Sequence, residues 1–187
     1  MAAKESIRPG GRSARVQASV HQAVRDLLAG RDRAELTIPM IAAQAGVTPS
    51  TIYRRWGDLA ELLADVALER MRPDSPPADT GDVRSDLEAW LEQYVDEMAS
   101  GPGRAMLRDV LAGSADGKGL GQCSAYTCAQ MAVIAERAVQ RGQTPPDVEA
   151  ILDQVIAPVI YRILFTAEPP GPAYCRSLIE RVLSGRR

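Results

Sequence analysis

The sequence predicts an all-α chain with a small N-terminal helical unit and a larger helical body behind it. Three observations carry that prediction. Apolar residues recur every three or four positions in most segments, and clusters of glycine and proline separate those segments. No stretch alternates with period two. At 187 residues and 45% hydrophobic, the chain has enough apolar material for such a core.

The elements follow in order. Residues 1–12, with Pro9, Gly10 and Gly11 among scattered charges, read as a flexible basic arm. Ser13 is placed to cap a first helix whose inward stripe is Val16, Val20, Ala23, Val24, Leu27 and Leu28, ending at Gly30. Thr37 and Pro39 start a second, two-turn helix that stops at Gly46, and Thr48-Pro49 starts a third that closes at Gly57. Asp58 caps a fourth helix with Leu59, Leu62, Leu63, Val66 and Leu68 on or near its buried side. Three prolines and a glycine between Pro73 and Gly81 predict a linker.

The body begins with an amphipathic helix over 82–100, carrying Val83, Leu87, Trp90, Leu91, Tyr94, Val95 and Met98. Gly-Pro-Gly at 101–103 predicts a break before a shorter helix over 104–111, and the four glycines between Gly113 and Gly121 predict a loop. Helical spacing returns over 122–140. A long helix over 144–165 is apolar on more than one face, so one side has its own core to fill and the other a partner subunit. Pro158 in its middle predicts a kink, which either shapes a pocket floor or serves packing alone. A last helix covers 173–183.

Charge is uneven along the chain. Residues 1–56 hold nine Lys/Arg against four Asp/Glu (+5), and residues 57–187 hold thirteen against twenty (−7). A basic first third on an acidic remainder favours a polyanion at the front end. No apolar run is long enough to span a membrane and no signal peptide is evident, so a cytoplasmic protein is expected. Cys123, Cys128 and Cys175 form no Cys-x-x-Cys pair and read as small buried hydrophobes over a redox or metal role. With His21 the only histidine, no acid–base or nucleophile set is evident, and no enzyme activity, metal or cofactor is expected.

Two short helices joined at Gly46 form a helix-turn-helix. The second presents Thr48, Ser50, Thr51, Tyr53, Arg54 and Arg55, while Val47, Ile52 and Trp56 anchor it inward. Hydroxyl and guanidinium groups in that pattern suit phosphates, and Arg also suits guanine edges. The run Ala42-Ala-Gln-Ala-Gly-Val-Thr-Pro-Ser-Thr-Ile-Tyr-Arg-Arg-Trp56 resembles the signature of TetR-family transcriptional regulators. In that family a Gly-Val-Ser/Thr turn leads into Thr, an aliphatic residue, Tyr and an aromatic, then a short fourth helix. The likeness runs from about Val16 to Leu68.

The resemblance implies domains over 13–57 (helix-turn-helix), 58–72 (connecting helix) and 73–187 (ligand binding and dimerisation). It implies a repressor released from a palindromic operator by a small molecule, acting as a homodimer. It places Pro49, Ser50 and Arg54 where bases are read, and Thr37, Thr48, Thr51, Tyr53 and Arg55 on the DNA backbone, with Arg12 and Arg15 adding contacts from the arm. Two departures stand out. Trp56 replaces the commoner Phe, and Leu59 takes the place of a phosphate-holding Lys.

For the effector, Trp90, Tyr94, Met98, Met106, Tyr126, Gln130, Met131, Tyr161 and Arg162 are pocket candidates, with plain core as the competing reading. Ile156, Val159, Ile160, Ile163, Leu178, Ile179 and Val182 are candidates for the dimer interface, again against intrachain core. Leu62, Val66 and Glu69 lie on the expected route between the domains. Two other function classes compete with the regulator. One is an interaction protein whose degenerate head binds a protein partner, which Leu59 favours. The other is a helical enzyme, for which no catalytic set is present.

Overall fold

A computed structural model describes residues 11–113 and 118–185. Among the described residues there are nine helices and no strand. The head holds α1 (Arg12–Gly30), a 3₁₀ turn (Arg33–Glu35), α2 (Ile38–Ala45) and α3 (Pro49–Trp56). Then come α4 (Leu59–Met71), α5 (Val83–Ala99), α6 (Gly101–Gly113) and α7 (Lys118–Gln140). The long α8 runs in three consecutive stretches, Val148–Ile151, Leu152–Ile156 and Ala157–Phe165, and α9 is Pro172–Leu183. No described helix is long and apolar enough to cross a membrane. The arm expected over residues 1–12 lies outside the described residues up to residue 10. From Arg12 onward the chain is helix, with Gly11 and not Ser13 at the cap position.

Local chemistry fixes most of the ends. Thr37 Oγ1 accepts from the Met40 N–H, Asp58 from Glu61 and Asp147 from Glu149 and Ala150. Gly46 closes α2 at φ 67°, a left-handed conformation in which its amide reaches back to Ala42 and Ala43. Thr48 does not cap α3 with its side chain; its hydroxyl instead meets those of Ser50 (2.9 Å) and Thr51 (3.0 Å).

The expected break at 101–103 is the first turn of α6. Ser100 Oγ accepts from the Gly103 amide at 3.0 Å, and Pro102 costs nothing in a first turn, where its missing N–H has no helical partner. Similarly, residues 118–121 belong to α7, so glycine content there misled the loop reading. The rest of that expected loop, 114–117, lies outside the described residues.

Two apolar clusters organise the fold. One, in the head, gathers Val20, Val24, Ile41, Ile52 and Trp56 with Leu62, Leu63 and Val66 of α4. The other, in the body, includes Leu91, Met131, Ile134, Val159, Ile163 and Leu178, with Ala67, Leu68 and Met71 of α4 packed into or against it. Helix α4 therefore serves both cores, its first half the head and its second half the body. Its small residues also let α6 approach closely: a Cβ on Gly113 would sit 2.2 Å from the Ala60 carbonyl oxygen and 2.6 Å from Ala64 Cβ.

At Pro158 the winding of α8 changes. The turn before it, Leu152–Ile156, is a π-turn in which the Ala157 amide bonds to the Leu152 carbonyl. The wider turn accommodates the proline ring and the missing donor. It also brings both Val155 and Ile156 inward, followed by Val159 and Ile163. The inward face of this helix runs continuously through the widened turn, while Tyr161 and Phe165 face outward.

Gly113→Ala should destabilise the chain by about 1–3 kcal/mol, because neither neighbouring backbone can yield without moving a helix. Gly101→Ala, whose added carbon meets nothing within 4 Å, should stay within about 0.5 kcal/mol. Urea unfolding of the two variants checks the contrast.

Candidate nucleic-acid interface

The head holds α3 against α1 and α2 with Ile52 and Trp56 inward, and leaves Thr48, Pro49, Ser50, Tyr53 and Arg54 exposed and Thr51 half-buried along the opposite face. Pro39 and Thr37 expose the start of α2 beside them. Arg54 makes no ion pair among the described residues, so its guanidinium is available. Arg55 differs: it donates to the Ser13 carbonyl (3.1 Å), to Ser13 Oγ (2.7 Å) and to Gln17 Oε1, and its guanidinium carbon lies 5.1 Å from the Trp56 ring centre. It braces α1 on α3. Leu59, where the family often has Lys, is half-buried against the head core.

Behind α3 lies a group that the sequence reading missed. His21, fully buried on α1, is held between two carboxylates of α4, with Nε2 2.9 Å from Asp65 Oδ2 and Nδ1 2.6 Å from Glu69 Oε2. Asp65 Oδ2 also accepts from Trp56 Nε1 at 2.7 Å and Gln17 Nε2 at 3.1 Å, and Glu69 from Arg25 at 3.0 Å. Burial works against charge on the imidazole, but the hydrogen bonds it donates to Asp65 and then Glu69 outweigh burial and raise its pKa above the ordinary value. Burial likewise opposes the charge on Asp65, and the His21 and Trp56 bonds overcome it and lower its pKa. For Glu69 the bond to His21 comes first among the causes that lower its pKa. The signal was present in the sequence: a histidine within an apolar stripe, and two carboxylates one turn apart on the connecting helix.

The body contains a cavity of about 320 Å³ between the end of α4, α5 and α7. Trp90 and Tyr94, stacked with ring centres 5.0 Å apart, line it together with Met98, Tyr126 and Gln130. Among the described residues the hydroxyl of Tyr94 makes no hydrogen bond to protein, and its pKa is raised by burial first and then by Cys123 and Glu97. Arg70, Met71 and Arg72 of α4 and the strap Pro73–Pro77 close one wall. That strap, expected as a linker, is fastened to the body. Arg137 donates to the Pro77 carbonyl at 2.7 Å, and Gln130 to that of Ser75 at 3.4 Å. Arg141 bonds to Asp79 and, at 2.9 Å, to the fully buried Asp86, which also accepts from the Thr80 amide and hydroxyl at 2.7 Å each.

Comparison with known proteins decides the family. The family model described as "Bacterial regulatory proteins, tetR family" matches residues 22–66, and "Tetracyclin repressor-like, C-terminal domain" matches residues 77–182. The chain belongs to the TetR family. It is 25% identical over 176 residues to the uncharacterised HTH-type transcriptional regulator YdeS of Bacillus subtilis, covering 89% of this chain and 87% of that one. Over 113 residues it is 30% identical to the HTH-type transcriptional regulator AqdR of Rhodococcus erythropolis, covering 60% and 54%. The crystal structure of the TetR-family regulator SCO0332 superposes with a TM-score of 0.68 at 31% identity, over 92% of this chain and 98% of that one. This TetR protein is accordingly a DNA-binding transcriptional regulator.

The expected body sites distribute unevenly in this TetR chain. Five of the nine pocket candidates, Trp90, Tyr94, Met98, Tyr126 and Gln130, line the cavity, along with the unforeseen Gln93, Glu97, Cys123 and Thr127. Met106 and Met131 do not; they are buried in the body core. Tyr161 and Arg162 lie on the outer surface of α8, Tyr161 against Phe165 and Arg162 with its guanidinium carbon 4.0 Å from the Tyr174 ring centre. Pro158 borders no part of this cavity. Among the dimer candidates, Ile156, Val159, Ile163, Leu178 and Ile179 are buried inside their own chain and have no surface to offer a partner, and Ile160 and Val182 are half-buried against the same core. The outward residues of α8 include Asp153, Ala157, Tyr161 and Phe165 along one line, the last two 62% and 71% exposed.

Trp56→Phe keeps the packing of the head but removes the indole N–H from Asp65. With the Asp65 side chain 37% exposed, the cost should be near about 1 kcal/mol, below the range for a fully buried charged hydrogen bond. Urea unfolding at pH 7 measures it.

Proposed function

We propose that this regulator is a repressor that leaves a palindromic operator when a small molecule enters the cavity against α4. The observation that carries this reading is that the cavity wall and the head's support are the same helix. Arg70, Met71 and Arg72 border the cavity, while Glu69, the residue just before them, and Asp65, one turn earlier still, hold His21 and Trp56 of the head. A second link runs from Arg33, on the turn between α1 and α2, to the buried Asp109 of α6, an ion pair without a well-aligned hydrogen bond. A ligand that favours one placement of α4 would move the two heads of a dimer off successive major grooves.

The stacked Trp90–Tyr94 pair, Tyr126 and Met98 suit an apolar or aromatic ligand, and Gln93, Thr127, Gln130 and the Tyr94 hydroxyl supply polar contacts. For the head, Thr37, Thr48, Thr51 and Tyr53 are proposed on phosphates and Pro49, Ser50 and Arg54 at bases, with Arg55 serving mainly as a brace. Self-association through the outer faces of α8 and α9, centred on Tyr161 and Phe165, replaces the interface set expected from the sequence. The division into head, connector and body follows the two apolar clusters and their shared helix.

Three measurements test this. A gel-shift titration against the chain's own upstream DNA at two salt concentrations should show tight binding to one short palindrome, weakening as salt rises. Weak binding that ignores sequence would refute the operator reading. Arg54→Ala should lower operator affinity about tenfold with the melting temperature unchanged, whereas Arg55→Ala should lower both. Replacing Tyr161 and Phe165 together by Glu should convert a dimer to a monomer in sedimentation; an unchanged mass would place the interface elsewhere.

A further inference from the structure

We propose that His21 is a positioning residue for DNA binding: its imidazolium locks α4 onto the head, so operator affinity is proton-linked. The geometry requires the charged ring. Asp65 and Glu69 are acceptors only, and they engage the two opposite nitrogens of one imidazole. A neutral ring has one N–H and one lone pair, so it can satisfy one carboxylate while its lone pair faces the other. Losing the proton therefore opens one arm of the lock.

What the lock holds is the reading helix. Asp65 is tied to Trp56 at the end of α3 and to Gln17 of α1, which Arg55 of α3 joins from the other side. Glu69 is tied to Arg25 of α1. The charged groups facing the ring or its partners are thus Arg25 from α1, Arg55 from α3, and Asp65 and Glu69 from α4, while α2 carries no charge. With the ring protonated, two cations, His21 and Arg25, stand against two carboxylates in direct contact, and the balance fails when the ring is neutral.

The sign follows. In the locked head the ring's pKa lies above the ordinary 6.5, and in an unlocked head it returns toward that value. The lock's contribution is complete below pH 6.5 and is lost as pH rises through the locked-state pKa. The locked/unlocked ratio falls by up to about tenfold for each pKa unit that separates the two forms, and operator affinity falls with the locked fraction.

Because His21 is the only histidine, the test has one reporter. The full chain is used to enrich duplexes from a random pool, and dissociation constants for an enriched duplex are measured at pH 6.5, 7.5 and 8.5 at fixed ionic strength. Wild type should weaken several-fold across that range, and His21→Gln should bind weakly with that slope gone. Glu69→Gln, at an exposed position that leaves the fold intact, should shift the loss of affinity to lower pH. Titration of the single imidazole by NMR, with no DNA present, should give a midpoint above 6.5 in wild type and a lower one in Glu69→Gln. A midpoint at or below 6.5, a flat wild-type profile, or a slope retained by His21→Gln would each overturn the proposal. Failure to enrich any duplex at any pH would instead remove the DNA-binding reading on which it rests.

Discussion

The close approach of α4 and α6 is the constraint on which the rest of the molecule depends. Gly113 lies so near Ala60 and Ala64 that no side chain fits between the helices. Interiors packed this tightly do not deform continuously; they shift between discrete arrangements. With its first half in the head core and its second half at the body core, α4 cannot change its angle without disturbing both clusters. Arg33 and Asp109 pin the far side of the head to α6 as well, so the head is attached to the body at two separated places.

Polar chemistry completes what packing begins. The head core contains a buried imidazole answered by two carboxylates, and the body edge contains a buried Asp86 answered by Arg141 and Thr80. Each joins segments far apart in sequence, α1 to α4 in one case and α5 to α7 and the strap in the other. Breaking one partner of such a set leaves a charge stranded, which costs more than the intact set contributes. These two clusters therefore specify position more than they add stability.

Much of this was legible in the sequence. Helix periodicity, caps such as Asp58 and Thr37, and the turn glycine Gly46 located the head and its reading helix, because each is a local signal. Glycine content misled at 101–103 and 118–121, where a neighbouring cap or helix overrode it. Side chains that meet across tertiary distances were the least legible. His21 read as unremarkable because its meaning depends on Asp65 and Glu69, and Trp56 read as a filler because its N–H acquires a role only beside Asp65. The cavity was half foreseen: aromatic residues of α5 and α7 were visible as candidates, but a wall made by the strap was not.

The π-turn in α8 has a consequence for how this chain tolerates changes in length. Each residue turns an α-helix by about 100°. The widened turn at Leu152–Ile156 works as an absorbed extra residue, and it sets the rotational phase of everything from Ala157 onward. A one-residue deletion within it would restore ordinary winding with Val159 and Ile163 still facing the core, whereas one just beyond it would rotate the remainder of the helix by about that angle and turn Ile163 out. The same deletion in the strap would shift one wall of the cavity and its bonds to Gln130 and Arg137 without turning a core residue out. Length in α8 is thus constrained along the helix except at the widened turn, where one residue can be lost without changing which side chains face the core.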